Sequence, residues 1–140
     1  MTRASNKVRW CLNKAKKELE TSDRHRGLVE KNPNEALARL HIGKAEHNFH
    51  AALFFAKNGY SDWSASAFFY CIYHCFLAII SRFGYESSNQ ECTIAAVEML
   101  REEGKIALDE RFINTLKIDM KDEVEQSLIQ IREDFQYGTD

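Results

Sequence analysis

The segment from Trp63 to Phe83, WSASAFFYCIYHCFLAIISRF, most constrains this chain, because two seams at helical spacing are both apolar. One seam carries Ala65, Phe69, Ile72, Phe76, Ile79 and Phe83; the other carries Trp63, Ala67, Tyr70, His74 and Leu77. A helix that is apolar all round has to be surrounded by other elements. The expected architecture is therefore all-α, an up-and-down antiparallel bundle of about five or six helices around this one. The polar groups Tyr70, Tyr73 and His74 need partners inside it.

A run of this length also meets the usual sign of a membrane-spanning helix. Ser64, Ser66, Tyr70, Tyr73 and His74 dilute that sign, and no basic loop cluster sets an orientation. The first residues are basic, but no apolar segment with a small-residue cleavage site follows them. The expectation is a cytoplasmic protein without membrane contact. A length of 140 residues, 44% hydrophobic and 29% charged, fits one globular domain over residues 1–140. Cys11, Cys71, Cys75 and Cys92 read as buried thiols in a non-secretory setting.

Apolar periodicity divides the chain into helices. The first runs from about Asn6 to Glu20, with Val8, Cys11, Leu12, Ala15 and Leu19 as its stripe. For the second, Asn32 is the expected cap, Pro33 the first helical residue and Glu35 the capping-box acid. Ala38, Ile42, Ala45, Phe49, Ala52 and Ala56 then repeat at spacings of four and three, a seam for close antiparallel packing. Asn58 and Gly59 end that helix, so Ser61 or Asp62 begins the apolar one across a helical hairpin. Further helices are expected from Cys92 to Glu102, from Asp109 to Leu116 with Phe112, Ile113 and Leu116 inward, and from Lys121 to Tyr137. No strand pattern competes.

The hairpin from Lys44 to Ser87, KAEHNFHAALFFAKNGYSDWSASAFFYCIYHCFLAIISRFGYES, followed later by IREDFQYG, resembles the HEPN superfamily of small helical-bundle proteins. Phe69 and Tyr70 stand where that family carries an aromatic pair, and His74 where it often carries a histidine. Arg132, Asp134, Phe135 and Tyr137 are similar to its terminal signature. The resemblance spans roughly residues 35 to 138, with residues 1–31 as an additional basic helix. It implies a homodimer, and a setting beside a minimal nucleotidyltransferase partner as toxin and antitoxin, or a role with nucleotide or RNA.

Within that family many members are metal-independent ribonucleases that use an Arg followed after four to six residues by His. Imidazole moves protons near neutral pH, and guanidinium stabilises the charged phosphorane. No arginine here has a histidine at that distance; Arg39 and His47 come nearest. The leading expectation is thus a non-catalytic binding module. The alternative is a ribonuclease with a displaced constellation drawn from Arg39, His47, Arg132 or His74.

The other candidates each have two readings. His74 is a base or ligand group in a cleft, or a core histidine bonded to a carbonyl or tyrosine. His47 and His50 with Glu46, or Cys71 with His74 and Cys75, lack the further ligand that a closed zinc site needs, so no metal and no cofactor are expected. Asn89, Gln90 and Glu91, with Cys92 and Thr93, either grip a polar ligand at a helix N-terminus, or Asn89 or Thr93 simply caps the helix. Arg132, Asp134 and Tyr137 either hold a phosphate or pin the last helix. Residues 1 to 31 carry nine Lys or Arg against four acids, and residues 98 to 140 carry six against twelve. Lys14, Lys16, Lys17, Arg24 and Arg26 are therefore a candidate nucleic-acid surface, unless oppositely charged helices pack together.

Overall fold

The computed structural model describes residues 2–121, and side chains as far as Ile118. The expected final helix, with Arg132, Asp134, Phe135 and Tyr137, lies outside the described residues. Five helices and one two-stranded sheet make up the described chain, and the helices pack antiparallel.

Helix α1, Arg3–Leu19, starts earlier than its apolar stripe suggests because Thr2 and Ser5 form a capping box. The Ser5 N–H donates to Thr2 Oγ1 at 3.1 Å, and the Thr2 N–H donates to Ser5 Oγ at 3.0 Å. Strand β1, Leu28–Glu30, follows and pairs antiparallel with β2, Tyr85–Ser87, with Val29 opposite Glu86. These strands correct the expectation of helices alone. Three residues are too few for alternation to show, and the partners lie far apart in sequence.

Helix α2, Glu35–Lys57, begins two residues later than expected: Asn34, not Asn32, is the cap, and its Oδ1 accepts from the Leu37 N–H at 2.9 Å. Pro33 lies outside the helix and holds Asn32 toward extended backbone. Asn58 and Gly59, the latter at φ +81, close α2, and α3, Ser61–Arg82, returns along it. Ser64 Oγ donates to the Ala52 carbonyl at 2.8 Å near the turn. Helix α4, Gln90–Glu102, and α5, Glu110–Lys121, complete the order.

The core joins Val8 and Cys11 of α1, Phe69, Ile72, Phe76 and Ile80 of α3, Ile94, Val97 and Leu100 of α4, and Ile113 and Leu116 of α5. Helix α2 contributes no residue to it and packs on the opposite side of α3. Only Ala38, Ala45 and Ala52 of its expected seam are buried, while Ile42 and Phe49 are exposed. Seven-residue spacing keeps those three alanines on one side of the helix, where their small size permits close approach to α3. Among the described residues helix α3 is thus central but not surrounded: Phe68 remains 41% exposed, and Cys75 is exposed as well. Phe112, expected inward, is also exposed. By length and composition α3 could cross a membrane, and here it packs against α2, α4, α5 and β2.

Cys11 and Cys92 form a disulfide between α1 and α4, which corrects their reading as thiols. Helical periodicity places each cysteine on an inward stripe but carries no information about which inward stripes face one another. Cys71 and Cys75 are free thiols, but neither is buried as expected: the first is half-buried and the second exposed, because α3 leaves that side uncovered among the described residues.

Candidate functional site

Because α2 and α3 run back along each other from one turn, residues nearly equidistant from Asn58 are brought together, and His41 meets His74. Their Nδ1 atoms lie 3.4 Å apart, and the rings stack at 5.6 Å between centroids with 25° between planes. Both side chains are half-buried at the helix interface. Burial pushes the pKa of His41 below the usual histidine value, and the charge of Lys44 adds to this. Burial likewise lowers that of His74, followed by the charges of His41 and Lys44. Desolvation disfavours imidazolium, so both rings are held neutral at pH 7. At this separation the neutral rings share a hydrogen bond when one of them carries its hydrogen on Nδ1.

Of this pair the sequence singled out only His74. His41 stands one helical turn from Ala38 and another from Ala45, so it shares the buried side of α2. The position of the turn at Asn58 was the signal that could have matched it to His74. Tyr70 is half-buried and meets Phe69 edge to face at 5.3 Å. Tyr73 reaches Thr93 on α4 at 3.3 Å, and Thr93 Oγ1 donates to Ser87 Oγ at 2.7 Å. Among the described residues no buried side-chain polar atom lacks a partner.

The remaining sequence candidates do not converge on the histidines. Asn89 caps α4, its Oδ1 accepting from the Cys92 N–H at 3.2 Å while its amide donates to the Arg26 carbonyl. Glu91 pairs with Lys7 at 3.1 Å. That pair and Lys117 with Glu98, at 2.8 Å, flank a groove of about 370 Å³ between α1, α4 and α5, at whose edge Arg3 also lies. Gln90 is the first residue of α4 and only half-buried. On the basic surface, Lys14 pairs with Glu18 at 3.4 Å, whereas Lys16, Lys17, Arg24 and Arg26 are exposed. Arg39 pairs with Glu35 at 3.5 Å, and His47 is exposed about two turns further along α2.

Fold and site together define a small helical-bundle protein whose hairpin carries a buried-edge histidine pair. Compared with known proteins, the chain matches no family model, no curated protein and no solved structure.

Proposed function

We propose that this chain is a non-catalytic, HEPN-type interaction module that self-associates through the outer flank of its α2–α3 hairpin. The observation that carries the reading is the apolar stripe Ile42, Phe49 and Leu53 on α2, left 44%, 42% and 47% exposed. Spacings of seven and four align these side chains along one side of the helix, beside the alanines that face α3. Large apolar side chains gathered in this way mark an interaction surface better than scattered ones do. A second copy presenting the same stripe is the simplest occupant, since a two-fold interface uses one patch twice. A minimal nucleotidyltransferase, or RNA bound at Lys16, Lys17, Arg24 and Arg26, is the further partner that the sequence resemblance suggests, in a toxin–antitoxin setting.

The histidine contact supports the non-catalytic side of this reading. An acid and a base acting on one phosphodiester must leave room for it between them, and here the two Nδ1 atoms touch. Lys44, rather than an arginine, supplies the positive charge felt by both rings.

Sedimentation of the purified chain tests the proposal. A dimer is expected for the parent at micromolar concentration, and a folded monomer for the Phe49→Glu, Leu53→Glu double variant. A parent that stays monomeric, or a dimer indifferent to the double variant, overturns it. Incubation with mixed RNA in chelator should give no cleavage; cleavage lost in a folded His74→Ala variant would reverse the choice in favour of the ribonuclease.

A further inference from the structure

The separation of the two imidazole nitrogens coincides with a bite distance. Zinc binds histidine nitrogen at about 2.0–2.1 Å in tetrahedral geometry, which places two such nitrogens about 3.3–3.4 Å apart. His41 Nδ1 and His74 Nδ1 stand at 3.4 Å, at the edge of that range, on two facing helices. We infer that His41 and His74 form an exchangeable transition-metal site that clamps α2 to α3, with Zn²⁺ as the fitting ion. Among the described residues no third His, Cys, Asp or Glu joins them in a metal-holding group. Two positions of the tetrahedron are therefore left to water or another external donor, and the site is open rather than a closed structural centre.

A metal takes neutral imidazole, so binding competes with protons and weakens as pH falls. Binding needs both Nδ1 lone pairs, so the ring that carries its hydrogen on Nδ1 changes to the Nε2–H tautomer. One proton leaves Nδ1 and one arrives at Nε2 through solvent, with no net release from the neutral pair. The Lys44 charge, one turn from His41, works against a cation bound there.

The location gives the ion a structural consequence. Helix α2 rests on α3 through Ala38, Ala45 and Ala52 and takes no part in the main core. An ion bridging the helices adds a link at the interface between α2 and α3. It therefore stabilises the folded chain in proportion to its occupancy.

Zn²⁺ titration against a competing chromophoric chelator tests the site, beside His41→Ala, His74→Ala and a His47→Ala, His50→Ala control. One ion per chain is expected, with affinity about tenfold or more weaker in either single variant, unchanged in the control, and a few-fold stronger in Lys44→Met. Nitrogen-resolved NMR of the parent protects the test against a variant that fails to fold. Zn²⁺ should perturb Nδ1 of His41 and His74 and leave both rings as Nε2–H tautomers. The inference is overturned if the parent binds no Zn²⁺ at about 1 mM, if both single variants bind as the parent does, or if binding disappears only in a Cys71→Ser, Cys75→Ser variant.

Discussion

Thr93, wholly buried on α4, receives the Tyr73 hydroxyl of α3 at 3.3 Å while its own hydroxyl donates to Ser87 Oγ on β2 at 2.7 Å. Three consecutive elements, α3, β2 and α4, thus meet at one hydroxyl. Thr93→Val keeps the shape but leaves Ser87 and Tyr73 without that partner, so a loss of about 1–3 kcal/mol in urea unfolding is expected. Tyr73→Phe breaks only the longer contact and should cost about 1 kcal/mol.

The disulfide between Cys11 and Cys92 closes most of the chain into a loop, with a sequence separation of 81. Cross-linking so long a loop restricts the unfolded ensemble, and Cys11→Ala with Cys92→Ala should lower unfolding free energy by about 4 kcal/mol. Equilibrium denaturation with and without reductant checks this. Equal stability under both conditions, with both thiols alkylated in the untreated protein, would contradict the bond.

Gly27 and Gly84 bring the backbone close on either side of the small sheet. A Cβ on Gly27 would collide with the Cys11 carbonyl oxygen, and one on Gly84 with that of Lys31. Gly84 also sits at φ +84, a region that side chains rarely adopt. Gly84→Ala should cost about 2 kcal/mol or more, whereas Gly59→Ala, at φ +81 but in open space, should cost only about 1 kcal/mol. Thermal unfolding of the two variants side by side tells collision from backbone strain.

Protonation of the histidine pair should make stability depend on pH. Both folded pKa values lie below the ordinary 6.5, so the unfolded chain binds protons first as pH falls. Stability is then complete above the ordinary histidine range, declines as pH drops below 6.5, and levels off once pH has passed the folded values. Urea midpoints measured from alkaline to acid pH should show this slope in the parent and a flatter one in His41→Phe, His74→Phe. An unchanged slope in the double variant would assign the effect elsewhere.

Local signals were the legible ones. Apolar periodicity located α1 to α5, and Asn58 with Gly59 marked the hairpin turn, because helix formation and termination depend on residues a few positions apart. The start of α2 was misplaced because Asn32 and Asn34 both suit a cap, and only the bond from Asn34 Oδ1 to Leu37 distinguishes them. Capping by Asn89 was among the readings the sequence offered.

By itself, then, the sequence determined a helical chain folded back at residue 58, with an apolar helix at its centre. Tertiary structure alone decided that Cys11 meets Cys92, that Val29 pairs opposite Glu86, that α2 turns alanines inward and leaves Ile42 and Phe49 outside, and that His41 touches His74. The reason is physical. Period and capping are properties of one segment, whereas each of these pairings depends on how two segments rotate and slide against each other, which side-chain packing sets only when the whole chain has closed.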